Sequence, residues 1–310
     1  MRHGLILTSF LTLAACQPLV KPAPEKIAPW TTQLRDTQPD DAFAAVYAWR
    51  GQRLVFVGAK HATRTDSLTF RLIDQAYASL QFDTVIVEGP PYSRGANSER
   101  LLSWVDAQRE IDGFIQGGEI VPTVRGARDR GAVVWGGEPD DSDIRARVLA
   151  RGFELEDLLG FYTLRSVPQW VREQKLSGPD DSRTAQLIET ELERNRVRLQ
   201  APAELLPSYA SWARWYERTN GKPFDSSFEL QETRPLADGR YASNKLSEAI
   251  AHVRDEFLLD LISRHLNARE NVLVVYGESH LMLLRPALNA MLGPPCYQGD
   301  DLRAARTRCL

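Results

Sequence analysis

The chain has 310 residues, 43% of them hydrophobic and 25% charged, with a formal net charge of −3. That apolar fraction is enough for a packed core and excludes a disordered chain. The near balance of 38 Lys and Arg against 41 Asp and Glu excludes a strongly basic character, so neither nucleic acid nor an anionic membrane face is an expected partner.

The N-terminus reads as an export signal. Met1, Arg2 and His3 give a positive start, and residues 5–15 form an apolar run interrupted only by Thr8, Ser9 and Thr12. The run is shorter than the roughly 20 residues a spanning helix needs, and small residues precede the expected cut. Leu13-Ala14-Ala15-Cys16 resembles the bacterial lipobox, which implies cleavage after residue 15 and a lipid on Cys16. Gln17, not Asp, follows the cysteine, which under the lipoprotein sorting rule favours the outer membrane. The expected partner is therefore a membrane, reached through that lipid. Loss of Arg2 with the signal leaves 37 basic against 41 acidic residues, or −4. Residues 16–29 carry Pro18, Pro22, Pro24 and Pro29 and read as a semi-rigid spacer holding the domain clear of the lipid.

Residues 30–310 suit one α/β domain. Continuous apolar runs at 54–57, 84–87, 132–135 and 272–276 read as strands buried on both faces, as in a mostly parallel sheet. An edge strand at 42–49 is expected to pair with 53–57 across a Gly51-Gln52 turn. Helices are expected at 66–80, 122–130 and about 245–266, and the alternation of helix and strand gives a central sheet flanked by helices. The stretch 153–240 lacks a buried strand, includes an Arg- and Glu-rich helix at 185–199 and reads as a helical insertion or cap. Its Trp170, Trp212, Trp215 and Tyr216 are expected in a core. Cys296 and Cys309, an even pair in an exported chain, are expected to form a disulfide.

The chemistry gathers where the strands end. The runs are followed by Gly58-Ala59-Lys60-His61, Glu88-Gly89-Pro90, Gly136-Gly137-Glu138 and Gly277-Glu278-Ser279-His280. In a parallel sheet these ends meet on one side, where ligands bind. Gly-x-x-His occurs twice in that setting, so His61 and His280 are expected to share a site with Glu88, and Glu138 is a further candidate. An imidazole there serves as metal ligand or proton carrier. Glu88 would ligate a metal, orient a histidine or act as base. Two histidines and a carboxylate leave open positions on a divalent ion such as zinc, manganese or cobalt. The sequence has no HExxH and no close-spaced ligand pair, so spacing does not secure a metal. Glu119 either sits at a helix start favoured by the dipole or faces the crevice. Arg254 and Asp255 fall on apolar arcs of the long helix and need charged partners; Arg254 either closes an ion pair or binds an anionic group. His252 and His265 read as surface or packing residues. There is no Gly-x-Ser-x-Gly elbow for a serine nucleophile, and no free cysteine is expected.

These motifs, in this order, resemble the TraB/GumN/TIKI superfamily and its erythromycin-esterase and ChaN-like relatives, over residues 45–145 and 240–293. The resemblance implies an α/β fold with both histidines in a central cleft. It implies a divalent-metal-dependent protease if TIKI-like, metal-independent activation of water if esterase-like, and bound haem if ChaN-like. Arg64, three residues after His61, is similar to the esterase branch. Glu278 and Ser279 stand where TraB-like members usually keep small residues, which leaves metal dependence open. The expected function is an envelope-anchored hydrolase acting on a peptide or small-molecule amide or ester, with a non-enzymatic ligand- or haem-binding lipoprotein as the alternative. Oligomeric state is not legible.

Overall fold

A computed structural model describes residues 19–309 of the chain. Cys16 and the signal segment lie outside the described residues. The expected strands form around one sheet. They are β1 (Phe43–Trp49), β2 (Gln52–Ala59), β3 (Thr84–Pro91), β4 (Val133–Glu138) and β5 (Val272–Gly277), joined by a short β6 (Tyr297–Gly299). The order across the sheet is β4-β3-β5-β2-β1-β6. β4, β3, β5 and β2 are mutually parallel, and β1 and β6 are antiparallel additions.

The strands carry unbroken apolar runs through their central positions because both faces are covered. One face sets Val55, Val57, Val85, Val87, Leu273 and Val275 against α1 (Leu68–Ser79), α2 (Glu99–Ala107) and α3 (Ile120–Asp129). The other sets Leu54, Phe56, Ile86, Val272, Val274 and Tyr276 against two later helices. The alternation of consecutive residues between two cores is what a period of two demands of a fully buried sheet.

After β4 the chain is helical: α4 (Asp141–Leu149), α5 (Leu155–Leu164), α6 (Val167–Arg172), α7 (Thr184–Leu199) and α8 (Tyr209–Asn220). Trp170, Trp212, Trp215 and Tyr216 are buried in a third apolar cluster with Leu158 and Leu159. That cluster closes against Leu246, Ile250 and Val253 of α9 (Ala242–Asn267), while Leu258, Leu259 and Ile262 further along α9 pack on the sheet. One long helix therefore ties the helical stretch to the strand ends. The last helix, α10 (Glu278–Leu292), starts directly from β5.

Three local readings change. The hairpin turn is Arg50-Gly51, because Trp49 pairs with Gln52. Both turn residues have positive φ, at 51° and 93°, which matches the twist of a two-residue hairpin. β1 is not the edge, since Val46 pairs with Tyr297 of β6. The Cys296–Cys309 disulfide closes the tail behind that strand, and Cys296 N–H bonds the Val46 carbonyl at 2.9 Å. The Pro-rich stretch, over its described part, lies on the domain instead of standing clear of it. Val20 and Ile27 are buried beside α10 residues, and Val20 exchanges two hydrogen bonds with the Asn267 side chain. Its few apolar residues suffice to dock it, since each buried one contributes about 1.5–3 kcal/mol. Among the described residues no helix is long and apolar enough to cross a membrane.

Candidate functional site

The sheet order explains how distant motifs converge. β5, last of the parallel strands in sequence, inserts between β2 and β3. His61 follows β2, His280 lies in the first turn of α10 after β5, and Glu88 stands at the end of β3. The three are thus carried by adjacent strand ends. Glu88 Oε2 lies 3.9 Å from His61 Nε2, and Glu88 Oε1 lies 3.9 Å from His280 Nε2. Gly277 makes the floor beneath them. A Cβ there would sit 3.3 Å from Glu88 Oε2, 3.6 Å from His280 Cδ2 and 3.8 Å from His61 Nε2. A side chain at 277 would occupy the space the three groups share.

Each ring is aimed by its own carboxylate. His61 Nδ1 is 2.6 Å from Glu119 Oε1, and Glu119 also accepts from the Ala62 N–H at 3.3 Å. His280 Nδ1 is 2.6 Å from Asp255 Oδ1. Both contacts require Nδ1 to donate, which points each Nε2 toward Glu88. The surroundings differ. The His61 side chain is 67% exposed and that of His280 only 10%. The hydrogen bond to Glu119 lifts the His61 imidazole to about 9, with burial opposing it and the Glu88 charge adding to it. Burial pulls the His280 imidazole down, but the Asp255 carboxylate more than offsets it, and its pKa is raised. Both rings therefore hold a proton more tightly than a free histidine.

Glu88 is fixed from behind. Its Oε2 accepts the Gly277 N–H at 2.8 Å, and its Oε1 accepts from Arg254 Nη2 at 2.8 Å. Arg254 also grips both oxygens of Glu138 at 2.6 Å, and Tyr276 Oη donates to Glu138 Oε1 at 2.6 Å. Burial raises the Glu88 carboxyl, and His280 and Arg254 reverse this, leaving it lowered. In Glu138 the same opposition of burial and Arg254 ends at about 2.

All the residues singled out at the strand ends thus lie in one contiguous network, with unequal places in it. Glu119 faces the crevice, not merely a helix start. Glu138 touches Arg254 and Tyr276 and neither histidine, so it is a positioning residue. Asp255, read from sequence only as a charge in want of a partner, proves to be the partner of His280. Tyr276 carried no signal, since it reads as one more apolar strand residue. His252 pairs with Glu256 and His265 with Glu270, both away from the site. A cavity of about 340 Å³ reaches His280 and Arg254 and is lined elsewhere by Trp30, Arg234 and Leu283.

A pH dependence follows from Glu138. Its folded-state pKa, about 2, lies below the ordinary 4.5, so its stabilisation is present above pH about 4.5 and is lost as pH falls through about 2. Glu256, also lowered to about 2, acts in the same window. Urea unfolding between pH 5 and 2 is expected to show a steeper loss of stability in wild type than in Glu138→Gln. Equal slopes would show that Glu138 is not held ionised by the network.

A scan against protein-family models found no match, and searches of curated proteins and of solved structures also returned none. The likeness to TraB/GumN-type proteins therefore stands on the motif residues alone.

Proposed function

We propose that the chain is a hydrolase that splits an amide or ester at the His61–Glu88–His280 cluster. The observation that supports this most is the placement of two separately anchored imidazole Nε2 atoms, each 3.9 Å from a different oxygen of one glutamate. A purely structural ion-pair cluster has no need of two anchored histidines, one of them exposed, around a shared gap. Such anchoring matches what general acid–base catalysis requires.

In this reading a water in the gap attacks the acyl carbon and gives a proton to Glu88. The bond to the leaving oxygen or nitrogen breaks, and the protonated His61 returns a proton to that atom from Nε2. His280, at the wall of the cavity, donates from Nε2 to the carbonyl oxygen as negative charge develops there. Arg254 and the Gly277 N–H keep Glu88 in place. Lipid on Cys16 would place this chemistry at a membrane surface of the envelope.

The divalent ion implied by the TIKI-type likeness meets this donor set only in part. The rings fit, because a carboxylate on each Nδ1 frees Nε2 for a metal, as outer-sphere carboxylates do for metal-bound histidines. Among the described residues no three His, Cys, Asp or Glu groups stand close enough to enclose an ion, and Glu88 is engaged by Arg254. The two rings alone suit such an ion, the set with Glu88 as placed does not, and no step of the proposed reaction runs through a metal.

The test is turnover of a panel of p-nitrophenyl acyl esters and short peptides by protein purified without chelator. Glu88→Gln is expected to lower kcat by about a hundredfold or more while leaving substrate binding nearly unchanged. Loss of activity on chelation, restored by zinc, manganese or cobalt, would assign the metal-assisted form. Undiminished turnover by Glu88→Gln would overturn the reading.

A further inference from the structure

Arg254 borders a second cleft, of about 240 Å³, between the ends of β3 and β4 and the helices that follow. Three guanidinium groups line it: Arg165 just past the end of α5, Arg198 of α7 and Arg254 of α9. Arg165 and Arg198 both lie over the Tyr162 ring, with Cζ 4.1 and 4.9 Å from its centroid. Two of the three are accounted for within the fold. Arg198 donates to Asp141 at 2.6 Å, and Arg254 is bound by Glu138 and Glu88. Arg165 forms no ion pair among the described residues, keeps its contact with Tyr162, and remains solvent-accessible inside the cleft.

Gathering like charges around one uncompensated guanidinium is unfavourable unless an anion completes the set. The rest of the lining sets limits on that anion. Ile144 and Ile250 give an apolar wall. Asp141 pairs with Arg198, and Glu138 and Glu88 pair with Arg254, so among the described residues Arg165 is the one guanidinium of the three without a carboxylate partner, which suits a monoanion better than a doubly charged phosphate.

We propose that this cleft binds a carboxylate group of the substrate, with a small apolar substituent against Ile144 and Ile250, and that Arg165 is its principal anchor. The place is suitable for a hydrolase subsite. Arg254 lines the cleft and also donates to Glu88 at 2.8 Å, so an anchored carboxylate lies one side chain from the reacting glutamate. The substrate class is then an acylated amino acid, or a peptide with its terminal carboxylate near the scissile bond. The helical stretch that resembles no family acquires a role, because it supplies Arg165, Arg198 and Tyr162. This substrate assignment rests on the hydrolase reading; the anion site itself does not.

Isothermal titration of the full chain with N-acetylvalinate, its neutral analogue N-acetylvalinamide, and inorganic phosphate tests the proposal. The carboxylate is expected to bind roughly ten- to a hundredfold more tightly than the amide, as loss of a charge-assisted hydrogen bond implies. Arg165→Gln is expected to abolish that preference, and Arg165→Lys to retain part of it. Equal affinity for acid and amide, phosphate bound more tightly than N-acetylvalinate, an undiminished preference in Arg165→Gln, or no binding of any probe would each overturn it. Carboxylate binding that depends on Arg165, in a protein whose Glu88→Gln variant retains full turnover, would leave the anion site standing and remove only the hydrolytic reading.

Discussion

His280→Ala is expected to abolish hydrolysis and also to cost about 3–5 kcal/mol of stability, the effect of leaving a buried charge without its partner. Asp255 is 1% exposed, and its side chain bonds His280 Nδ1. Truncating the imidazole strands that carboxylate in the interior. For a domain whose total stability is about 5–15 kcal/mol, the loss is large enough to imitate a catalytic defect through unfolding. His61→Ala removes a largely exposed ring, and Glu119 retains the Ala62 N–H and its place at the start of α3. Its unfolding midpoint should therefore stay close to that of wild type while turnover falls by about a hundredfold or more. Two further variants separate catalysis from folding. His280→Asn keeps an N–H for Asp255 and discards Nε2, and the pair Asp255→Asn with His280→Ala removes the stranded charge. Both should recover most of the stability and none of the activity. Urea unfolding and ester turnover measured on the same preparations decide this, and full activity in both His61→Ala and His280→Asn would exclude a shared site.

The contrast between the two histidines marks the limit of what the sequence shows. Strand positions were legible because β2, β3, β4 and β5 are covered on both faces and so carry unbroken apolar runs. The convergence of His61, Glu88 and His280 followed from one further premise, that these strands are parallel. The partners of the rings could not be read in the same way. Glu119 precedes a helix as many acidic residues do, and Asp255 lies beside Arg254 on a helix whose rotation is set by packing. Which of these two neighbouring charges meets His280 and which meets Glu88 depends on how α9 crosses the strand ends. The hairpin turn shifted by one residue because a positive φ at Arg50 has no signature in an arginine. The cleft around Arg165 was illegible for a related reason. It is built from α4, α5, α7 and α9 together, and arginines spread from 165 to 254 give no local pattern until the helices are packed.

Arg254 carries the second large expectation. Among the described residues it pairs directly with both Glu88 and Glu138, whose side chains are only 19% and 11% exposed. Arg254→Met retains much of the apolar stem and deletes the charge. About 3–5 kcal/mol of stability should be lost at neutral pH, and turnover should fall with it because Glu88 loses its support. The pH dependence should also change sign. In wild type Glu138 binds its proton less readily when folded than when unfolded, so its contribution grows as pH rises from about 2 to about 4.5. Without the guanidinium, burial, the largest single influence, is opposed by the Tyr276 hydrogen bond and by His280, and the folded pKa is expected to rise above the unfolded one. The contribution is then complete below the unfolded pKa and lost as pH increases through the folded one. Arg254→Met should accordingly be more stable at pH 4 than at pH 7 relative to wild type, as read from urea midpoints at the two values. Arg254→Lys should fall between them, since one ammonium cannot span the three carboxylate oxygens the guanidinium grips. A variant as stable as wild type at pH 7 would mean that these carboxylates are solvated well enough to stand alone, and that Glu88 owes its charge to the histidines.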